Sequence, residues 1–441
     1  MDGRKSEAGG TVAVESQNGG LSEGRDALPA AGVSESLEDP GIEEGYESYG
    51  PGLFHPVYIG DVYNGRYEVL RKIGWGQYST VWMVKDLTKE LGDADEFKAL
   101  KILAADSYNE EAPVFEREIL THLREADKSH VGYGSICHLL DDFELQGPNG
   151  THVCLVFELM GETLRTLRAI FPGQMLTNTL TRKLAYQLLT ALDYAHDNRV
   201  IHTDIKPDNI FVKISDRSKL QAYLDMFPAP VQDKTAPRYC PIPSRPLSGF
   251  HFGESLYTSK INIALGDWGV SSWTDKHLTE LIQPVTLRAP EVLIGAPWDL
   301  TTDWWNLGVV LLEIFRGVAM FPGQMDQHTP YDLAVHLAQI VDFFGPFPKA
   351  LLDQGNPEIV ARYFNDDGTI RGWDLEPGLA LDDDAYMDDL PQENREAFVE
   401  FLYALMKINP ADRLPTQEIV DQDWIRHGAK IKGSNPASSE Q

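Results

Sequence analysis

The sequence predicts an α+β protein with two lobes, a small β-rich N-lobe followed by a larger, mainly helical C-lobe. Short runs of Val, Leu, Ile, Tyr and Trp, broken by glycines, predict strands within residues 67–158. Apolar residues then recur at helical spacing over 180–195, and residues 304–315 are apolar almost all round, which predicts a buried helix. We therefore place the N-lobe at about 67–158 and the C-lobe at about 162–427.

Three further segments have the composition of chain outside the two lobes. Residues 1–50 are rich in Gly, Ser, Ala and Glu and predict a disordered acidic tail before a domain at 51–427, and residues 428–441 predict a second disordered tail. Residues 215–259 contain several prolines and no clear period. They predict an insert that loops out of the domain, with an ordinary flexible loop as the alternative.

Length, charge and cysteine usage restrict the class of protein. A chain of 441 residues can bury a large core, and its net charge of −29 lacks the clustered Lys and Arg that a phosphate backbone requires. We expect no direct nucleic-acid partner; the charge fits a basic partner or simply keeps the protein soluble. Cys137, Cys154 and Cys240 have no metal-ligand spacing, and no apolar run is long enough for a membrane span. The expectation is a soluble, intracellular monomer with no membrane partner.

The segment 200–211 places His202, Asp204, Lys206 and Asn209 at the H-x-D-x-x-x-x-N spacing used for phosphoryl transfer. In this pattern the Asp204 carboxylate meets a substrate hydroxyl, Lys206 reaches the moving phosphate and the Asn209 amide holds a metal ion. A solvated polar loop between two apolar segments is the alternative. To favour a phosphoryl-transfer site over a solvated loop, the other parts of such a site must follow in the expected order along the chain.

A glycine pair predicts a loop that covers a nucleotide. Gly74 and Gly76 would let backbone amides approach phosphate oxygens, while Ser79 stands where a third glycine is usual. Ile73 and Val81 flank the loop on its two predicted strands. A G-x-G alone most often marks a simple hairpin, so this signal is weak by itself.

The remaining nucleotide contacts are predicted on two strands. Ala99 and Lys101 share one face of the strand at 97–103, so that Ala99 can lie against an adenine ring and Lys101 can reach the α- and β-phosphates. After the buried strand at 152–158, the backbone of Glu158 and Met160 is predicted to bond the adenine edge.

The acidic partner of this lysine is predicted on the following helix. Phe115, Ile119 and His122 are spaced along one helical face, and Glu118 joins that face while Glu116 points sideways. Glu118 is therefore the predicted partner. The alternative is that both glutamates are solvated helix charges.

Motifs further along the chain supply the remaining parts of the predicted phosphoryl-transfer site. Asp267 begins an Asp-Trp-Gly motif and is predicted to bind Mg²⁺ together with Asn209. Glu291, in an Ala-Pro-Glu motif, is predicted to pair with Arg413, and Asp303 is predicted to accept amide hydrogens from the catalytic loop.

With these residues in hand, the chain resembles the eukaryotic protein kinases over about 67–424, and more closely the SR-protein kinase family. The resemblance rests on HPVYIGDVYNGRY at 55–67, GWGQYSTVW at 74–82, HTDIKPDN at 202–209 and FFGPFP at 343–348. Thr203, in the place of the usual Arg, is typical of that family, as are Ser79 and a spacer before the metal-binding aspartate.

The resemblance implies a two-lobed protein kinase fold and an ATP- and Mg²⁺-dependent serine/threonine kinase. Its implied substrates are Arg/Ser-rich proteins such as splicing factors, in cytoplasm and nucleus. The chain departs from the family at Pro284 and Leu287, where Thr and Tyr are common. A pseudokinase scaffold and a kinase of other targets are the alternatives.

Acidic residues are predicted to dock a basic substrate. Asp342 keeps an acidic docking position of the family, while Val335 stands where a second acid is expected, which points to an altered groove or to one shifted to Asp326 and Asp332. Between residues 353 and 393 a dense acidic run adds three consecutive aspartates: Asp382, Asp383 and Asp384. A solvated acidic loop without a partner is the alternative.

Overall fold

The N-terminal part of the chain folds into one antiparallel sheet. The protein is represented by a computed structural model that describes residues 43–90, 92–93, 95–108, 114–248, 261–326, 328–373, 381 and 392–430. The sheet has six strands in the spatial order β1-β2-β3-β4-β6-β5. In chain order they are β1 (Val62–Tyr63), β2 (Tyr67–Gly76), β3 (Ser79–Asp86), β4 (Phe97–Leu103), β5 (Leu139–Gly147) and β6 (Gly150–Glu158).

Side-chain alternation gives this sheet two apolar faces. On one face, buried residues such as Trp82, Leu100 and Val156 form a cluster that Ile242 of the insert completes. On the other face, Met83 and Phe97 form a second cluster, again with residues from outside the sheet. A helix, α1 (Glu116–Glu125), lies between β4 and β5 along the chain and packs its apolar side into the main core. The predicted β-rich N-lobe is therefore confirmed.

The C-lobe is mainly helical and carries four short strands, in two pairs. The helices are α2 (Leu164–Arg168), α3 (Asn178–Asp197), α4 (Lys219–Met226), α5 (Pro290–Leu293), α6 (Thr302–Arg316), α7 (Leu333–Phe344), α8 (Lys349–Leu352), α9 (Pro357–Tyr363), α10 (Gln392–Leu405), α11 (Thr416–Val420) and α12 (Asp423–Lys430). The strands are β7 (Val200–Ile201), β8 (Ile210–Val212), β9 (Ile263–Leu265) and β10 (Ser272–Trp273). No helix in these described ranges is long and apolar enough to cross a membrane.

Two helices form the centre of the C-lobe core. The apolar stripe of α3 is buried from Leu180 to Ala195, and its first turn is capped by the Thr177 hydroxyl, which accepts from the Leu180 N–H. Helix α6 is buried nearly all round, as its composition predicts. A Cβ added at Gly308 of α6 would lie 2.4 Å from the Met406 side chain, so this glycine permits the close approach of α6 and the end of α10.

The prediction that residues 215–259 loop out of the domain is wrong for the described part, 215–248. Residues 219–226 form α4, whose Leu220 is buried with Met83 and Phe97 of the N-lobe sheet. The Tyr239 hydroxyl donates to the Val57 carbonyl at 2.9 Å. The sequence shows no period because this segment packs through single residues and backbone groups.

The predicted N-terminal tail also ends earlier than expected. Glu43 and Glu44 contact Lys72 of β2, and residues 46–49 form a short 3-10 helix, so 43–50 belong to the fold. The C-terminal helix α12 likewise continues to Lys430. The rest of the two predicted tails, 1–42 and 431–441, lies outside the described residues, as do 249–260 of the insert.

Candidate active site

The catalytic loop, residues 202–209, lies between β7 and β8, and a buried carboxylate fixes its backbone. Asp303, at the start of α6, accepts from the backbone N–H groups of His202 and Thr203 at 2.8 and 2.9 Å. Its side chain is fully buried, so these amides and the His196 ring supply the hydrogen bonds that a buried charge requires. The predicted role of Asp303 is confirmed.

Two more side chains fix the loop. The Nδ1 atom of His202 accepts from the Asp204 N–H at 3.2 Å, which leaves the proton on Nε2, and Nε2 donates to the Gly266 carbonyl at 3.0 Å. The Asn306 amide oxygen accepts from the Ile205 N–H at 3.1 Å. Sequence reasoning missed Asn306, although its position three residues after Asp303 puts it on the same side of α6.

Asp204, Lys206 and Asn209 come together as their spacing predicts. The Asn209 Nδ2 group donates to both the backbone oxygen and Oδ2 of Asp204, each at 2.8 Å. Lys206 Nζ lies 3.0 Å from the same Oδ2. Burial raises the pKa of Asp204, and the Lys206 charge opposes this only in part. A carboxylate held in one orientation next to a cation can accept the proton of a substrate hydroxyl.

Lys101 joins the two lobes through two carboxylates. Its Nζ atom lies 2.7 Å from Glu116 Oε1 of α1 and 3.0 Å from Asp267 Oδ1. Burial alone would lower the pKa of Lys101, but the charges of Asp267 and Glu116 outweigh it and raise the pKa. The Lys101 charge lowers the pKa of Asp267, while burial raises that of Glu116. Lys101 is therefore positively charged and is held in place by its two carboxylate partners.

The prediction that Glu118 is the partner of Lys101 is wrong, because Lys101 pairs with Glu116. Helix α1 begins at Glu116, and its buried side is Glu116, Ile119, Leu120 and Leu123, whereas Glu118 is exposed. The Glu118 carboxylate instead accepts from the Tyr108 hydroxyl. The prediction took His122 as part of the apolar face; the pair Leu120 and Leu123 would have indicated the correct phase.

The glycine loop connects β2 and β3 and leaves open space. A Cβ added at Gly74 or Gly76 would meet no atom within 4 Å, so neither glycine is needed for packing inside the protein, and a phosphate can approach the backbone there. Ser79 is buried and pairs with Gly76 in the sheet register. Ile73 and Val81 flank the loop on neighbouring strands, and Val81 pairs with Lys101 on β4.

The predicted adenine contacts lie where β6 ends. Ala99 pairs with Phe157 across β4 and β6, and Met160 packs with Phe211, the second residue after Asn209. Backbone bonds between residues 161–162 and Val212 hold the connection between the lobes against β8. The Glu158 side chain contacts Arg217 of the insert. That the backbone of Glu158 and Met160 bonds adenine stays a prediction.

The segment after Asp267 is held by neutral hydrogen bonds near the catalytic loop and by an ion pair at its far end. The Thr203 hydroxyl donates to the Val270 carbonyl at 2.8 Å, and β10 pairs with β7 beside the catalytic loop. At the far end, Arg413 donates to both oxygens of Glu291 at 2.6 and 2.7 Å, both side chains being fully buried. The predicted pairing of Glu291 with Arg413 is confirmed.

Two of the predicted docking residues that the structure describes lie at the two ends of α7. Asp332 caps α7 by accepting from the Ala334 N–H at 2.7 Å and remains exposed. Asp342, near the other end of α7, is half-buried and accepts from the Trp373 indole at 3.3 Å. The acidic run Asp382, Asp383 and Asp384 lies outside the described residues.

A two-lobed fold with a buried lysine, a hydroxyl-orienting aspartate and an open glycine loop defines a phosphoryl-transfer enzyme. The protein kinase domain family matches residues 67–223 and 255–425. Among curated relatives, the serine/threonine-protein kinase SRPK of Physarum polycephalum is 30% identical over 87% of this chain and 91% of its own length.

Other relatives agree. The protein kinase dsk1 of Schizosaccharomyces pombe is 28% identical over 88% of this chain and 86% of its own length. Human SRSF protein kinase 3 is 26% identical over 89% of this chain and 90% of its own length. The chain belongs to the protein kinase family and, within it, to the SR-protein kinases, and it is a serine/threonine kinase that uses ATP.

The first prediction separates the two glutamates of α1. Glu116→Gln should lower kcat/KM roughly ten- to hundredfold, because it weakens a charge-assisted hydrogen bond to Lys101. Glu118→Gln removes the same charge two residues away and should leave kcat/KM within about twofold of wild type. Steady-state phosphorylation of a protein substrate measures both; equal losses in the two variants would contradict the assignment.

The second prediction concerns Asp204. Because its pKa is raised in the folded state, ionisation costs stability as the pH rises from the unfolded-state pKa through the folded-state pKa. Asp204→Asn removes that cost, so at pH 7 the variant should melt at or above the wild-type temperature, and the difference should vanish below about pH 4. Its kcat should fall at least about 100-fold.

The matched control is Asp208→Asn in the same loop, whose carboxylate pairs with Arg165 near the surface. This variant should keep its kcat. In wild type, kcat should decline as the pH falls through the raised pKa of Asp204. An Asp204→Asn protein that melts lower than wild type at pH 7 but not at pH 4 would refute the sign of the shift.

The third prediction concerns activation. Since Thr203 cannot bind a phosphate as Arg does, and its hydroxyl already holds the Val270 carbonyl, phosphatase-treated protein from bacteria should be fully active. Thr203→Val should reduce kcat/KM by roughly fivefold, the effect of one neutral hydrogen bond. An inactive enzyme restored by phosphorylation of Thr274 or Thr279 would overturn this view.

Proposed function

We propose that this kinase transfers the γ-phosphoryl group of ATP to serines in Arg/Ser-rich proteins, including splicing factors. The observation that carries the substrate class is a pair of aspartates at the two ends of α7: Asp332, its exposed N-cap, and Asp342, which is half-buried near the other end. The relatives named SRPK and SRSF protein kinase 3 support the same class. A net charge of −29 on the chain fits an arginine-rich substrate.

The residues of the catalytic loop perform the transfer. Asp204 orients the serine hydroxyl and accepts its proton as the oxygen attacks the γ-phosphorus, while the bond from that phosphorus to the β–γ bridging oxygen breaks and ADP leaves. Lys206, next to that carboxylate, stabilises the negative charge of the moving phosphoryl group. Lys101, kept charged and in place by Glu116, binds the α- and β-phosphates. Catalysis is then mostly positioning and charge stabilisation.

We propose Asn209 and Asp267 as the ligands of Mg²⁺. Asn209 uses its amide nitrogen for Asp204, so its amide oxygen faces no competing donor from that residue. Asp267 offers a carboxylate whose pKa is lowered, and oxygen ligands of this kind suit Mg²⁺. When bound, Mg²⁺ supplies positive charge that neutralises the β- and γ-phosphates.

The spacing of the acidic residues on α7 fits an extended basic chain. Ten residues of helix separate Asp332 and Asp342, which is about 15 Å along the axis. In an extended peptide, alternate residues are about 6.6 Å apart, so two arginines four residues apart in a repeat are separated by about 13 Å and can face the two acids at once. The long-range field raises association more than it raises the strength of any single contact.

A pseudokinase scaffold is the second candidate, and the geometry does not favour it. Lys101 pairs with Glu116 and Asp267, and Asn209 bonds Asp204. The Gly266 N–H, next to Asp267, donates to the Asn209 carbonyl and so links the two groups. The family resemblance supports a monomeric enzyme of cytoplasm and nucleus, which we include in the proposal.

The fourth prediction tests the substrate class. Asp332→Asn/Asp342→Asn preserves the cap of α7 and the acceptor for Trp373, because an amide oxygen replaces a carboxylate oxygen. The double variant should raise KM for an Arg/Ser-repeat peptide roughly three- to tenfold with little change in kcat. Wild-type affinity for the peptide should fall steeply with salt.

The control removes two charges elsewhere: Glu125→Gln/Asp197→Asn, both exposed, on α1 and α3. It should leave KM for the peptide unchanged. Equal activity on an Arg/Ser-repeat peptide and on a neutral serine peptide would reject the substrate class but keep the kinase. Failure to transfer phosphate to any peptide, with ATP still bound, would favour the pseudokinase.

A further inference from the structure

Strand β2 leads directly into the glycine loop, and one of its last residues is a fully buried lysine. Lys72 stands two residues before Gly74, with an irregularity in the β2–β3 register between them. Its Nζ atom lies 2.7 Å from Glu43 Oε2 and 2.6 Å from Glu44 Oε1, and its side chain has no exposed surface. A buried ammonium group is tolerated only with such compensation.

The two carboxylates belong to the N-terminal segment, residues 43–59, which is tied to three parts of the N-lobe. The Tyr49 hydroxyl donates to Glu44. Asn149, in the turn between β5 and β6, donates to the Tyr49 and Phe54 carbonyls at 3.0 and 2.6 Å. The Asp106 N–H, in the loop after β4, donates to the Gly52 carbonyl at 2.8 Å. The segment therefore spans the sheet from β2 to the lead-in of α1.

The insert reaches the same lysine from another direction. The Ile242 carbonyl accepts from Lys72 Nζ at 3.3 Å, and the Arg245 N–H donates to the Lys72 carbonyl at 3.1 Å. The Ser244 hydroxyl donates to Glu43 Oε2 at 3.1 Å. Burial would raise the pKa of Glu43, but the hydrogen bonds from Lys72 and Ser244 outweigh it and lower that pKa. Glu43 is therefore bonded both to Lys72 and to the insert.

The neighbouring residue of β2 is held by the insert as well. Arg71 donates to the Phe227 carbonyl, and its guanidinium lies 5.2 Å from the centre of the Tyr223 ring. The rings of Tyr49 and Tyr239 lie 4.3 Å apart, which joins the N-terminal segment to the insert directly. Two segments that are far apart in the chain thus meet around residues 71–72.

The glycine loop itself has little packing of its own. A Cβ at Gly74 or Gly76 would have no neighbour within 4 Å, and at the tip Trp75 and Tyr78 are 42% and 56% exposed. The strands that enter and leave the loop must therefore set its position. On the entering side, the last residues before Ile73 are fixed by the contacts of Arg71 and Lys72.

We propose that Lys72 is a positioning residue for ATP: with Glu43, Glu44 and the backbone of the insert it forms a clamp on β2 that sets the height of the glycine loop over the phosphates. The clamp comprises Glu43, Glu44, Lys72, Ile242 and Ser244. Lys72 touches neither nucleotide nor peptide, and it acts through the backbone of β2. Its loss weakens the binding of ATP and ADP, while the catalytic loop and the aspartates at the two ends of α7 are unaffected.

The test compares Lys72→Met with Lys85→Met in the full-length chain. Lys85, on β3, also pairs with a buried glutamate, Glu96, at 2.7 Å, so both variants remove one lysine and leave a buried carboxylate without it. Lys72→Met should raise KM for ATP and the Kd for ADP roughly five- to tenfold. KM for the peptide and kcat at saturating ATP should stay within about twofold. Lys85→Met should change neither nucleotide constant.

A triple variant, Lys72→Met/Glu43→Gln/Glu44→Gln, guards against simple unfolding. Replacing a whole buried ionic group by neutral residues removes the unpaired charges, so this protein should melt close to wild type. Its KM for ATP and Kd for ADP should remain raised, because the clamp is still broken. Wild-type nucleotide constants in the folded triple variant, or equal shifts in Lys72→Met and Lys85→Met, would overturn the proposal.

Discussion

The ion pair of Lys101 with Glu116 is the interaction on which the geometry of the active site depends. It joins β4 to α1, and through Asp267 it reaches the segment that follows the catalytic loop. Glu116 is buried and Lys101 is mostly buried, so each of these two loses hydration that its partner replaces, whereas Asp267 stays partly exposed. Removing one of them leaves an uncompensated charge rather than a small gap. If one partner is lost, the unpaired charge of the other destabilises the site. The position of α1, which carries Glu116, is therefore decisive for activity.

The two residues after Glu116 show how that position is kept. Arg117 pairs with Asp142 of β5, and Glu118 accepts from Tyr108 in the segment before the helix. These contacts hold the first turn of α1 on both sides. The Thr203 hydroxyl does the same for the segment after Asp267. Both elements that kinases commonly move during activation are thus fixed by contacts internal to the chain.

Sequence reasoning predicted the parts of the site that lie within one short stretch or one motif. Asp204 and Asn209 are five residues apart in a loop, so their spacing alone fixes their proximity. The prediction of Glu118 was wrong because it required the correct helical phase of α1. Side chains two residues apart in a helix point in directions about 200° apart, so Glu116 and Glu118 lie on different sides. The apolar pattern around 115–123 fits two phases, and only the buried pair Leu120 and Leu123 distinguishes them.

The clamp on β2 could not be predicted for a different reason. Its contacts join single groups that are far apart in the chain, such as Lys72 with the Glu43 side chain and with the Ile242 carbonyl, and such contacts leave no period or motif in a sequence. The family match covers 67–223 and 255–425, so Lys72 lies inside the shared domain, while Glu43, Glu44 and Ile242 lie outside it. A chain reduced to the shared domain would keep every catalytic group and lose all three partners of this lysine. The groups that neutralise and bury Lys72 therefore lie outside the matched kinase domain, at 43–44 and 242.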